Sequence, residues 1–219
     1  MIKQEYFASP VYNEEKGEWV EKINNICEKY VQASIKKEEQ NMKNRKTLGY
    51  TNDIGMSYHS DTLQVDPDLK FFHDYIAEKA KWILSDIGYD MSPYSLIYTD
   101  SWVQEFSKSG GGHHWFHTHA NNHISGFYFL KASKMTSKPV FQDPRTAHVA
   151  LKLKEKNSEN LTNINDLVNY TCQPGSLVLF PSYLSHGFQV DHGLEDFRFI
   201  HINMRAIEKE VINSFKNPL

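Results

Sequence analysis

His113-His114-Trp115-Phe116-His117-Thr118-His119-Ala120-Asn121-Asn122-His123-Ile124-Ser125-Gly126-Phe127-Tyr128-Phe129-Leu130, residues 113–130, sets two patterns back to back. The first eleven residues carry five of the chain's 11 histidines, and the rest is a β-branched and aromatic run of strand type. Imidazole is the commonest protein metal ligand, and residues i and i+2 of an extended strand point to one side. His117 and His119 can therefore converge on one ion, and a metal site built on strands is the first expectation.

Outward from this stretch the texture stays β-like. Candidate strands run from Ser95 to Phe106, Ile124 to Leu130, Pro139 to Gln142, His148 to Leu153, Ser176 to Phe180 and Phe197 to Met204, separated by Gly, Pro, Asn and Asp. Gly110-Gly111-Gly112 is a turn that lacks the Lys-Ser/Thr of a phosphate loop. Residues 153–170 read as a polar insertion, a candidate lid. Before Pro93 the period changes. Trp19, Ile23, Ile26, Cys27, Tyr30 and Val31 recur at helical spacing between Glu18 and Gln40. A second helix is capped by Asp66, opened by Pro67, striped by Leu69, Phe72, Tyr75, Ile76, Ala80 and Ile83, and ended by Gly88. Two helices followed by short, evenly spaced strands predict an antiparallel sandwich or barrel, mainly β, braced by helices on one side.

At 219 residues, with 40% hydrophobic and 23% charged side chains, the chain has the composition of an ordinary globular protein. We expect one domain over residues 1–219, helical to about residue 92 and a β core over about 93–208. No apolar run approaches the roughly 20 residues of a bilayer-spanning helix, so no membrane partner is expected. The N-terminal Met-Ile-Lys-Gln-Glu-Tyr-Phe has no signal-peptide core, which predicts a cytoplasmic location. Cys27 and Cys172 are too few for a disulfide framework and read as reduced packing residues. A net charge of −3 offers no global attraction to nucleic acid, and none is expected as a partner.

An open catalytic metal site keeps three protein ligands, so His117 and His119 need a third. His186 is the best candidate, on the turn after the apolar strand that Pro181 stops. Twelve residues on, Arg198 sits on an otherwise apolar strand, where an unpaired guanidinium is costly. It is either a salt bridge to a nearby Asp or Glu, or a bidentate clamp on a bound carboxylate. Trp102, Gln104 and Phe106 share one face of the strand before the site and can line a pocket there. His59, His73, His148, His192 and His201 read as surface or structural; His113, His114 and His123 as entrance or supporting residues.

Two metal-binding segments separated by strands, with an arginine after the distal histidine, resemble the Fe(II)- and 2-oxoglutarate-dependent oxygenases. The resemblance is closest to a branch common in marine bacteria and their phages. It rests on His117-Thr118-His119, Ser125-Gly126-Phe127-Tyr128-Phe129-Leu130, Asp143-Pro144-Arg145, Gly175 through Ser182 with His186, and Arg198 with Asn203. Phe7-Ala8-Ser9-Pro10-Val11-Tyr12 and Gly49-Tyr50-Thr51 also look familial, so it spans essentially the whole chain.

The resemblance implies a double-stranded β-helix, the jelly-roll or cupin-like fold, with the helices on its larger sheet. It further implies Fe(II) on His117, His119 and His186, with 2-oxoglutarate clamped by Arg198. Gln104, Tyr128 and Asn203 are further candidates for the cosubstrate, and Arg145 for the substrate. Dioxygen and an organic substrate, a peptidyl side chain by analogy, complete the expected reaction: hydroxylation with release of succinate and carbon dioxide. One departure matters. His119 stands where most such enzymes have a ligating carboxylate, leaving open whether Asp143 supplies the acid or His119 lies behind a water. Two rival classes share the pattern: a three-histidine cupin-type dioxygenase that needs no 2-oxoglutarate, and a noncatalytic metal- or ligand-binding jelly-roll module.

Overall fold

The alternation of Phe127, Phe129, Phe197 and Phe199 with Tyr128, Ile200 and Ile202 requires sheets buried on both faces, because neither residue set can face water. The computed structural model describes residues 1–2, 4, 7–47, 57–145, 153–157 and 159–216, with side chains to 212. Among these residues are ten strands: β1 (Tyr12–Glu15), β2 (Ser57–His59), β3 (Tyr94–Phe106), β4 (His114–His117), β5 (Ile124–Lys131), β6 (Pro139–Gln142), β7 (Leu167–Asn169), β8 (Ser176–Pro181), β9 (His186–Phe188) and β10 (Arg198–Glu208). The helices are α1 (Val20–Thr47), α2 (Lys70–Asp86) and α3 (Lys209–Lys216).

Every pairing is antiparallel. One sheet has the order β1-β8-β5-β10-β3-β2, the other β4-β9-β6-β7. This interleaving, in which strands close in sequence alternate between two facing sheets, is the double-stranded β-helix. Two cores result. Between the larger sheet and the helices lie Ile23, Val31, Phe72, Ile76, Tyr128, Leu179, Ile200, Ile202 and Met204. Between the two sheets lie Phe106, Phe127, Phe129, Phe141, Phe180, Phe188, Phe197 and Phe199.

The local signals explain the helices. Asp66 accepts from the Asp68 backbone N–H at 2.9 Å, Pro67 opens a single 3-10 turn, and α2 follows. Gly88 ends it with φ of +110°. Asp66 also accepts from Tyr30 and Lys29, each at 2.7 Å, tying α1 to the start of α2. The polar insertion is not wholly a loop, because its residues 167–169 pair with β6 as an edge strand. The expected strand over 148–153 and the segment Gly49-Tyr50-Thr51 lie outside the described residues, apart from Leu153, which is not in a strand. Among the described residues, no helix is long and apolar enough to cross a membrane.

Candidate metal centre

Strand pairing builds the site. His117 ends β4 directly opposite His186, the first residue of β9. That pairing depends on Gly187: a Cβ there would lie 2.6 Å from the His114 carbonyl oxygen and 3.2 Å from the Trp115 carbonyl carbon. The i, i+2 spacing predicts His119 on the same strand as His117. Instead β4 ends at His117, and His119 lies on the turn that follows. Asn121, at φ +64°, carries that turn back toward β5. Backbone bonds from His119 N–H to Ser182 O and from Ser182 N–H to His123 O, both 3.1 Å, pin the turn to the end of β8.

The three imidazoles each offer one ligand atom, and these atoms all lie within 4.8 Å of one another. The His117 and His186 Nδ1–H groups have backbone carbonyls to donate to, Trp115 O at 2.7 Å and Leu184 O at 2.8 Å. That tautomer leaves each Nε2 lone pair free. His119 is held by a side-chain relay. Its Nδ1 is 3.2 Å from the Asn203 amide, which bonds Ser125 Oγ at 2.7 Å, and Ser125 Oγ is 2.8 Å from Ser182 Oγ. The amide NH2 faces the ring and Ser125 donates to Asn203 Oδ1. A metal at His119 Nε2 requires the amide turned over, so that His119 donates from Nδ1, the NH2 to Ser125 and Ser125 to Ser182. His119 Nε2 is then a free lone pair as well. The relay joins three family-like segments, Ser125-Gly126-Phe127, Pro181-Ser182 and Asn203.

Burial keeps His119 and His186 neutral. It lowers the His119 pKa to about 4 and the His186 pKa to about 3, with neighbouring imidazoles adding to both. Neutral rings with exposed lone pairs are what a metal ion needs. His119 Nε2 and His186 Nε2 are buried and have no hydrogen-bond partner, and a three-imidazole donor set suits iron, zinc, nickel or copper. The residues present therefore fit a metal ion.

Several of the other candidate residues stand elsewhere. Arg198 is 2% exposed, but it belongs to the helix-facing side of β10, with Ile200 and Ile202. There it is bound by Glu105 at 2.6 Å and by Asn24 and Glu28 at 2.8 Å. The salt-bridge alternative describes this position; a clamp on a ligand inside the barrel does not fit it. Tyr128 is likewise on the helix side, donating its hydroxyl to Lys16 O at 2.8 Å and packing on Phe72. Its neighbours Phe127 and Phe129 take the barrel face, so it cannot contact a cosubstrate there. Asp143 is held by Arg145 through two oxygens and is not part of the imidazole group, which removes it as a fourth or substitute ligand in this conformation. Arg145 instead lines a groove of about 560 Å³ with Phe7, Val11, Tyr170 and Leu184, and also donates to Asn163 O.

Gln104 and Asn203 do face the barrel, but their amides are engaged. Asn203 holds His119, while Gln104 contacts Ser57, His114 Nε2 at 2.6 Å and Trp102 Nε1 at 3.4 Å. The residue that sequence reasoning misses is His201, which reads there as surface or structural. It is 1% exposed, stacked on Trp102 at 4.2 Å, with its ring 4.8 Å from that of His119. A signal for it exists: two residues before Asn203 on one strand, it shares the face of Asn203.

Residues 100–198 match a family model described as "Putative 2OG-Fe(II) oxygenase". A comparison with curated proteins finds no match in sequence. Among solved structures, the chain is similar to EctD from S. alaskensis at 12% identity and TM-score 0.57, covering 90% of this chain and 73% of that one. AviO1 from Streptomyces viridochromogenes Tue57 gives 13% identity, TM-score 0.54 and 90% coverage of each chain. HygX from Streptomyces hygroscopicus, solved with nickel and 2-oxoglutarate bound, gives 10% identity and TM-score 0.51, with 90% of this chain and 83% of that one covered. At these identities the solved structures establish the shared fold. The matched residues 100–198 include all three imidazoles, and the fold is the one these oxygenase structures share.

Proposed function

We propose that His117, His119 and His186 hold Fe(II), and that the protein uses it with 2-oxoglutarate and dioxygen to hydroxylate an organic substrate, releasing succinate and carbon dioxide. The observation that carries the metal assignment is the convergence of three imidazoles whose ligand atoms lie within 4.8 Å of one another, with His119 Nε2 and His186 Nε2 buried and unpartnered. Bound there, the iron supplies the oxidising power. The chain's own groups fix the ligand tautomers, through Trp115 O, Leu184 O and the Asn203 relay, and exclude water with the phenylalanine core behind the rings.

The substrate side of the site is its rim. Trp115 is 81% exposed and Tyr183 56%, and Phe116 is also exposed, so apolar surface surrounds the half-buried His117. Such a rim favours a substrate held from outside, and a peptidyl side chain fits that description; a prolyl-4-hydroxylase from Pseudomonas putida shares the fold at TM-score 0.50. The test is succinate release with Fe(II) and 2-oxoglutarate across peptide and metabolite pools, read together with the gain of one oxygen atom by mass spectrometry. Peptide-dependent succinate is expected. No stimulation by any peptide, with stimulation by a small metabolite, would overturn the substrate class.

One observation favours a second reading. Arg198, the guanidinium expected to clamp 2-oxoglutarate, is committed to Glu105 and Glu28 outside the barrel. A three-histidine dioxygenase without a cosubstrate would have this arrangement. Calorimetric titration of 2-oxoglutarate into the Ni(II)-loaded protein separates the two, since only the first reading predicts binding.

A further inference from the structure

With Arg198 on the wrong face, a carboxylate entering the barrel needs another donor. The deep end offers none among the described residues, since Phe106, Phe129, Phe197 and Phe199 close it. Toward the mouth, the Asn203 amide is spent on His119 and Ser125, and the Gln104 amide on Ser57 and His114. His201 alone of these barrel-facing groups has unmet hydrogen-bonding capacity. It is 1% exposed, and neither Nδ1 nor Nε2 has a partner. A neutral imidazole carries one donor and one acceptor, and leaving both unmade in a buried position is strongly disfavoured.

The ring is also held in place. Trp102 stacks on it at 4.2 Å with an interplanar angle of 12°, and Phe127 meets it edge-on at 5.1 Å. Its centroid lies 4.8 Å from that of His119 and 6.4 Å from that of His186, so a small molecule seated at the three ligands is within its reach.

We infer that His201 is a positioning residue whose ring N–H donates to a carboxylate of the 2-oxo acid bound at the metal, a role that Arg198, held on the helix side, does not fill. The inference rests on the cosubstrate-dependent reading above. Receipt by a neutral donor predicts 2-oxo acid binding that is weaker and less salt-dependent than a guanidinium clamp would give.

The experiment is calorimetry on three proteins, wild type, His201→Phe and His201→Gln. Ni(II) is titrated first, then 2-oxoglutarate into the Ni(II)-loaded form. Phe keeps the stacking on Trp102 and removes the donor; Gln restores an N–H. The expected result is Ni(II) affinity little changed in both variants, 2-oxoglutarate affinity lowered by at least about tenfold in His201→Phe, and partial recovery in His201→Gln. Unchanged 2-oxoglutarate affinity in His201→Phe overturns the inference and leaves the cosubstrate reading standing. Parallel loss of Ni(II) and 2-oxoglutarate also overturns it, reducing His201 to a packing residue. If wild type binds Ni(II) but no 2-oxoglutarate, the cosubstrate reading falls and takes this inference with it.

Discussion

The two faces of β10 divide the molecule's work. On one, Arg198, Ile200, Ile202 and Met204 pack against the helices, and the charge of Arg198 is neutralised by Glu105 and Glu28. On the other, Phe199, His201 and Asn203 face the barrel, and the polar groups become more concentrated toward the metal end. Neighbouring residues of one strand thus experience opposite demands. The helix face satisfies its polar group completely, whereas the barrel face leaves His201 and the ligand nitrogens unsatisfied. Unmet hydrogen-bonding capacity in a buried place calls for an explanation; beside three converging imidazoles a bound ligand supplies one, whereas the fully paired Arg198 is structural.

The sharpest way to break this division is to remove a ligand. His186→Ala should lower Ni(II) or Zn(II) affinity by more than about a hundredfold, beyond the range of losses for supporting residues, with little change in the circular dichroism spectrum. His119→Asp should retain metal where His119→Ala does not. If the alanine variant binds as well as wild type, His119 is not a ligand.

The helix face predicts the opposite phenotype. Arg198→Met leaves the Glu105 carboxylate without its main counter-charge, with Lys131 still 3.6 Å away. The cost should be about 3 kcal/mol, a fall in Tm of about 6–12 °C for a chain of this size, with metal affinity unchanged. Loss of 2-oxoglutarate binding without loss of stability would return the arginine to the site.

A smaller effect should come from acid. His73, on the buried face of α2, is bonded to Ser101 Oγ at 3.0 Å, and burial lowers its pKa to about 4, partly offset by Asp74 and Asp66. The unfolded chain takes up that proton near pH 6.5, so stability is full above that value and declines as pH falls toward 4. Between pH 6.5 and 5 the His73 share is at most about 2 kcal/mol. Urea midpoints at the two pH values, compared with those of His73→Leu, isolate it; an equal slope in the variant would assign the acid sensitivity to the other buried rings.

How much of this is legible in the sequence? The helix stripes, the cap at Asp66 and most strands follow from local period and turn chemistry, because those signals act within a few residues. His117, His119 and His186 stand out through clustering and order along the chain. The face taken by a strand residue is harder to read, yet one clue is present. Arg198 and Asn203 are five apart, an odd spacing, so a regular strand must send them to opposite faces. Both could not serve one site. Tyr128 is excluded for the same reason beside Phe127 and Phe129. The partners that settle Arg198, Asn24 and Glu28, lie 174 and 170 residues away, where no local pattern reaches.

That separation has a consequence for how the chain folds. β10 follows the other nine strands in sequence, yet it lies between β5 and β3 in the middle of the larger sheet, and its Arg198 anchors the first helix. Closing loops of this length is entropically expensive and slow, and the contacts that repay it come late. The larger sheet cannot be completed, nor α1 fastened, until β10 arrives. A nascent chain halted before Arg198 would hold its histidine run but lack the strand that supplies His201 and Asn203.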